Sequence, residues 1–188
     1  MATDGYVRGG GSVNVLSLFD GISIARLALK NLNIDCTYFS SEIDKYCIQI
    51  SKKHFPEIIR LGDVRTVLGK DLPRIDLLIG GSPCQDLSIA KRGRKGLSGE
   101  KSGLFYEFLR ILKEVNPDYF LLENVSSPEC IQISELLQIK PVQINSSLFT
   151  AQMRNRLYWT NIKFPYPKDK NINLSDVSML LFSTPDNP

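Results

Sequence analysis

Apolar and polar positions along the chain switch repeatedly between a two-residue and a helical period. Val13 to Phe19 is β-branched and apolar and reads as a buried strand, broken by Asp20-Gly21. Ile22 to Lys30 carries Ile22, Ala25 and Leu29 at helical spacing. Cys36 to Phe39 predicts a second strand, ending at Ser40-Ser41-Glu42. Asp44 is placed to cap a helix through His54, with Tyr46, Cys47 and Ile50 turned inward. Ile58 to Leu61 predicts a third short strand closed by Gly62-Asp63, and Ile75 to Ile79 a fourth. Gly103 to Val115 has a broad apolar face of Leu104, Phe105, Phe108, Leu109, Ile111 and Leu112, and Asn116-Pro117 ends it. Tyr119 to Leu122 is a fifth strand, followed by Glu123-Asn124.

Strand and helix thus alternate with short connections and no internal repeat. That order predicts an α/β domain: a parallel sheet with helices on both faces and right-handed crossovers. After Val125 the alternation weakens. Cys130 to Gln138 reads as a short helix, and Val142 to Asn145 and Leu157 to Ile162 as two more strands, antiparallel. The polar, glycine-rich residues 1–12 lack the apolar stretch of a signal peptide and read as a flexible leader or tag. The domain spans 13–162. Residues 163–188 are rich in Pro, Asn, Asp and Ser and read as an irregular tail.

Composition narrows the picture. A chain of 188 residues suits one domain with a real core. No apolar run approaches a membrane span. Four cysteines (Cys36, Cys47, Cys84, Cys130) form no Cys-x-x-Cys pair and read as reduced thiols in a cytosolic setting. The single histidine, His54, argues against a histidine-based zinc cage and a Ser-His-Asp triad, so no metal is expected. The formal charge of +3 is small, but Lys91, Arg92, Arg94, Lys95 and Lys101 crowd one segment.

That segment follows the stretch where chemistry concentrates, Asp76 to Ser88 (DLLIGGSPCQDLS). A buried strand stopped by Gly-Gly-Ser-Pro delivers Cys84 to the carboxyl edge of the sheet, where open α/β folds bind ligands. The plainer account is a small apolar residue packed in a turn. Asp20, Glu42 and Asp63 each lie just past a strand end. Glu42 stands about twenty residues after the first loop, the separation at which such folds set a carboxylate on ribose hydroxyls. Each acid taken alone could instead begin a helix as a cap, as Asp44 and Asp63 can. No Gly-x-Gly-x-x-Gly or Gly-x-x-x-x-Gly-Lys is present, so a phosphate cradle is not supported. An adenosine ligand without pyrophosphate fits better, and S-adenosylmethionine is the common one.

These stretches resemble the DNA (cytosine-5) methyltransferases. LSLFDGI (Leu16 to Ile22), SEID (Ser41 to Asp44), GDV (Gly62 to Val64), GGSPCQDLS, LLENV (Leu121 to Val125) and AQMRNRLYWTNI (Ala151 to Ile162) are similar to that family's motifs in order and spacing. Together they cover roughly Val13 to Ile162. The resemblance implies a Rossmann-like S-adenosylmethionine-dependent methyltransferase fold and methylation of cytosine C5 in double-stranded DNA, as in restriction-modification systems. It implies Cys84 as the nucleophile that adds to C6, Glu123 at N3, Arg156 at O2 and Arg154 supporting the loop. Phe19, Asp20, Gly21, Ile22, Glu42, Ile43, Asp63, Val64 and Pro83 match the cofactor side. Ser82, Gln85, Ser88, Asn124 and the basic Lys91, Arg92, Arg94 and Lys95 match the DNA side, with the cytosine flipped out of the stack. Trp159 and Tyr158 read as core packing, and His54 as a helix-end residue.

The family continues past the Arg-x-Arg motif with a target recognition domain and a final Gly-Asn-Ser segment. Neither pattern occurs in 163–188, and the connection from Val125 to Ala151 is short. Three expectations follow: one half of a split enzyme completed by a complementary subunit, an inactive or regulatory module that binds DNA, cofactor or a partner, or a minimal enzyme of low specificity. The setting would be the cytoplasm of a bacterial or phage-infected cell, or the nucleus in a eukaryote.

Overall fold

The computed structural model describes residues 12–82, 104–127 and 130–177. Pro83, Cys84, Gln85, Ser88, Lys91, Arg92, Arg94, Lys95 and Lys101 lie outside the described residues. The chain runs β1 (Val13–Leu18), α1 (Ile24–Asn31), β2 (Cys36–Ser41), α2 (Lys45–His54), β3 (Ile59–Arg60), β4 (Leu77–Gly80), α3 (Phe105–Val115), β5 (Tyr119–Asn124), α4 (Cys130–Leu137), β6 (Val142–Asn145) and β7 (Asn155–Thr160). The strands form one seven-stranded sheet in the order β3-β2-β1-β4-β5-β7-β6. The five strands from β3 to β5 pair in parallel, and β7 runs antiparallel to both β5 and β6. The strand order reverses between β1 and β4, which opens a crevice at the carboxyl edge.

Two cores follow from the pleat, because alternate residues of each strand face opposite sides. Val15 and Tyr38 pack with Leu29 of α1 and with Phe55 and Ile58 after α2. Leu16, Leu18, Phe39, Leu78, Phe120, Leu122, Leu157 and Trp159 pack on the other face with Phe105, Phe108 and Ile111 of α3 and with Cys130 and Ile133 of α4. Helices therefore cover both faces, as the alternation predicts. Trp159 is fully buried and its indole N–H donates to Ser134 Oγ at 2.9 Å, which fixes α4 against β7.

Local differences have local causes. Helix α1 begins at Ile24 rather than Ile22, because Gly21 and Ser23 sit in the left-handed region (φ 57° and 65°). Asp44 does cap α2, its Oδ1 accepting from the amides of Tyr46 and Cys47. Tyr46 and Ile50, expected to face inward, are 63% and 45% exposed instead. The helix turns Ser51 to the interior in their place. The third strand is only two residues long, and β4 starts at Leu77 and extends to Gly80. Residues 163–177 are irregular apart from one helical turn at 174–177. They are tied to β6 and the loop after it, with Tyr166 OH donating to Gln143 O and Lys170 N to Leu148 O.

Candidate active site

The carboxyl edge of the sheet carries two groups of side chains. The first surrounds the ends of β1, β2 and β3. Phe19, Gly21 and Ser23 all have positive φ, so the loop after β1 turns sharply and exposes its backbone. A side chain at Gly21 or Gly62 would meet nothing within 4 Å, but φ of 57° and 77° favours glycine at both. Glu42 binds three amides with its two oxygens: Gly21 N–H at 2.8 Å, and those of Ile43 and Asp44 at 2.7 and 2.8 Å. A cavity of about 220 Å³ lies here, lined in part by Gly21, Ser40, Glu42 and Gly62. Ile22 and Ile43 are exposed apolar side chains beside it in sequence. Val64 is buried in the core, so it can offer a ligand only backbone.

The acids differ in their partners. Asp63 holds the amide and guanidinium of Arg65, and that side-chain bond, with the amide bond second, keeps its carboxyl below the ordinary aspartate range. It begins the helical turn Val64–Thr66 as a cap. Asp20 accepts from three hydroxyls, Ser23 Oγ at 2.6 Å, Tyr38 OH at 2.7 Å and Ser40 Oγ at 2.8 Å. Nothing in single-letter spacing announced Ser23, Ser40 or Tyr38 as functional residues. The available signal was the run Cys36–Ser41 (CTYFSS), a buried strand with hydroxyls where aliphatic residues would pack better.

The second group surrounds the ends of β4, β5 and β7. Glu123 pairs with Tyr158 in the β5–β7 register, which brings Arg156, two residues along, onto the same face. The guanidinium Nε of Arg156 meets Glu123 Oε1 at 2.7 Å, with the two side chains 18% and 32% exposed. The other oxygen of Glu123 leans over Gly81, where an added Cβ would come within 3.3 Å of it. Burial, and then the charge of Glu123, push the Tyr158 hydroxyl up from the ordinary phenol range. Behind this pair, on the opposite face, Asn124 is buried and its Nδ2 donates to Ser82 Oγ at 3.0 Å. Its Oδ1 accepts from Val125 N at 2.8 Å. Ser82 and Asn124 therefore join the strand end that leads to Pro83-Cys84 to the strand end that carries Glu123. The side chain of Arg154 is exposed, while its backbone holds the loop: its N–H donates to Asn145 Oδ1 and its carbonyl accepts from Ser146 N.

The described cysteines are unlike activated nucleophiles. Burial pushes the thiols of Cys36 and Cys47 up, the opposite of what a reactive thiolate needs. Cys130 is buried and donates to Val125 O. Among the described residues no cluster of three or more His, Cys, Asp or Glu could hold a metal ion. Nor is any described helix long and apolar enough to cross a membrane.

Residues 13–127, which carry both groups up to Asn124, match the family model for C-5 cytosine-specific DNA methylases. The chain belongs to that family. It is 40% identical over 118 residues to the orphan methyltransferase M.SPRI of Bacillus phage SPR, a match covering 61% of this chain and 27% of the relative. It is 35% identical over 158 residues to the type II methyltransferase M1.ScrFI of Lactococcus lactis subsp. cremoris, covering 77% and 40%. It is 28% identical over 184 residues to M.HhaI of Haemophilus parahaemolyticus, covering 86% and 55%. This methylase chain thus spans between 27% and 55% of the length of these relatives. In fold it is similar to a DNMT2 variant from Spodoptera frugiperda (TM-score 0.64, 20% identity, 86% of this chain and 54% of that one). The S. pombe Dnmt2 methyltransferase is also similar (TM-score 0.60, 22% identity, 93% and 57%). The mostly parallel sheet is the Rossmann-like methyltransferase fold.

Proposed function

We propose that the chain transfers a methyl group from S-adenosylmethionine to C5 of cytosine in DNA, with Cys84 as nucleophile. The Arg156–Glu123 pair, 2.7 Å apart and lying over Gly81, carries this reading. It sets a carboxyl and a guanidinium beside the strand end that leads, three residues on, to Cys84.

Cytosine C5 is a weak nucleophile. In the proposed reaction the Cys84 thiolate adds to C6, forming a C–S bond and sending an electron pair toward N3 and O2. Glu123 meets the charge at N3 as a proton donor, and Arg156 meets it at O2, a charge-assisted contact. C5 then carries the electron pair that would take up the methyl group as the sulfonium S–CH3 bond breaks, with S-adenosylhomocysteine the leaving group. Loss of the C5 proton to a base, return of the N3 proton to Glu123 and departure of the Cys84 sulfur as thiolate restore the ring. Ser82 and Asn124 act from behind, holding the strand end that supports Cys84, and Arg154 holds the loop before β7.

The residues at the first group fit the cofactor. Glu42 suits ribose hydroxyls, the exposed Ile22 and Ile43 and the half-buried Phe19 suit an adenine ring, and Asp63 suits its amino group. Gly21 allows close approach of the backbone, and Pro83 is read as a further cofactor contact. When bound there, S-adenosylmethionine supplies an electrophilic methyl group on its sulfonium. Lys91, Arg92, Arg94 and Lys95 contact phosphates, and Gln85 and Ser88 the flipped base. A complementary polypeptide carrying base recognition is part of the proposal.

Transfer of tritiated methyl groups to duplex DNA tests the reading, with the chain alone and with the product of the adjoining reading frame. Incorporation at cytosine C5 that requires both Glu123 and Cys84 supports it. No incorporation under either condition overturns it in favour of a module that binds without transferring.

A further inference from the structure

Asp20 directs its carboxylate into buried hydroxyls, and those hydroxyls are themselves connected. Ser23 Oγ lies 2.6 Å from Asp20 Oδ2 and 2.7 Å from Ser51 Oγ. Ser51 Oγ lies 3.1 Å from Arg60 Nη2. Ser23, Ser40, Ser51 and Tyr38 are all buried. Each hydroxyl has one proton to give, and a guanidinium only donates. The directions are therefore fixed. Arg60 donates to Ser51, Ser51 to Ser23, and Ser23 to Asp20. Nη2 of Arg60 also donates to the carbonyl of Phe55 at 3.0 Å, and its Nη1 to that of Ile58 at 2.8 Å, so the head of the chain is anchored at the end of α2.

We propose that Arg60, Ser51, Ser23 and Asp20 form a one-way hydrogen-bond relay that sets the cofactor loop, with Asp20 a positioning residue rather than a cofactor contact. The proposal rests on the cofactor reading above. Position 20 needs a group that only accepts. Oδ1 takes the proton of Tyr38, and Oδ2 takes those of Ser23 and Ser40. An asparagine of the same shape must turn its NH₂ toward one of these donors in either orientation. Burial, and then the nearby charge of Asp20, raise the Tyr38 phenol far above its ordinary range, so it stays a donor.

The relay has work to do at this loop. Phe19 and Ser23 hold left-handed backbone (φ 58° and 65°), which persists only where the surroundings over-determine it. Between them Gly21 donates to Glu42, the carboxylate read as holding ribose. A displaced loop therefore also misplaces Glu42. The relay links the ends of β1, α2 and β3, and Gly21, Ser40, Ser51 and Arg60 line the cavity beside Glu42.

The test is calorimetric titration of the full chain with S-adenosylhomocysteine, paired with amide hydrogen exchange at Gly21. Asp20→Asn and Ser51→Ala should each weaken binding by about tenfold and speed Gly21 exchange, on the scale of one charge-assisted hydrogen bond. The double variant should bind about as Asp20→Asn does, because both changes break one chain. Ser51→Thr, which keeps the hydroxyl, should restore binding. A Ser51→Ala chain that binds and exchanges as wild type overturns the relay, as do additive effects in the double variant. Variants that only melt earlier, with binding and exchange unchanged in the folded protein, also overturn it. A wild-type chain that takes up no S-adenosylhomocysteine overturns the cofactor reading, and the relay's role falls with it.

Discussion

Glu123 and Arg156 belong to different strands, far apart in sequence, and touch only because β7 runs antiparallel to β5. Their pairing puts a hydrogen-bonding carboxyl and a fixed cation on one face of the sheet at its carboxyl edge. Replacing Glu123 by Gln keeps the shape but removes the carboxyl, and with it the proton-donor role proposed for this residue. Methyl transfer should fall by about 10²–10⁴-fold, the usual share of general acid assistance, with cofactor affinity unchanged. Single-turnover transfer alongside S-adenosylhomocysteine titration checks this, and a loss confined to cofactor affinity would contradict it. Asn124 acts differently, since it is buried and joined to Ser82. Asn124→Ala leaves buried groups of Ser82 and Val125 unpaired and should lower stability by about 1–3 kcal/mol. It should also slow transfer, because the strand end before Cys84 loses its tie. Denaturant unfolding and the transfer assay report the two effects separately.

The elements explain why some positions were legible and others were not. Val13–Leu18 and Tyr119–Asn124 announced themselves by apolar runs that ended in polar punctuation, and the strands formed where that pattern stood. Helix α2 was legible as a helix through Asp44 but not in its facing. Tyr46 and Ile50 lie outward because the inner side of α2 meets the polar network of Ser23 and Arg60 through Ser51. The Asp44 carboxylate is held low mainly by the Cys47 amide, with the Tyr46 amide adding to it. Its folded value is depressed, so its contribution is present at neutral pH, above the unfolded value, and is lost as pH falls through the folded value. Removing it with Asp44→Ala should lower the melting temperature at neutral pH and make no difference in strong acid. Equal losses at both pH values would contradict the cap. At β4 the sheet and α3 leave no space. A Cβ on Gly80 would lie 2.7 Å from the Phe108 ring. Gly80→Ala should cost about 1–3 kcal/mol by overpacking, measured by denaturant unfolding. Gly80→Ala with Phe108→Leu should recover part of that loss.

For the whole molecule, the motifs from Leu16 to Val125 were readable because each includes or follows a strand end, and strand ends converge on one edge of a doubly wound sheet, while the motif Ala151 to Ile162 contains all of β7. The network behind Asp20 was not readable in the same way, because hydroxyls in a strand have no spacing of their own until the fold brings them together. The antiparallel β7 brings Arg156 back to Glu123, and so one edge holds the features read as cofactor loop, strand end before Cys84 and base-edge pair. The chain spans 27% of the length of M.SPRI and 55% of that of M.HhaI. The proposed methyl transfer is the function these residues bear on. Its central claim is a covalent bond between Cys84 and cytosine C6. The most direct measurement is incubation with S-adenosylmethionine and duplexes containing 5-fluorocytosine, where fluorine at C5 blocks the elimination that would release the sulfur. The wild-type chain should give a protein–DNA adduct that survives denaturing electrophoresis and is absent from Cys84→Ser. No adduct with the wild-type chain, or an equal adduct with Cys84→Ser, would contradict it.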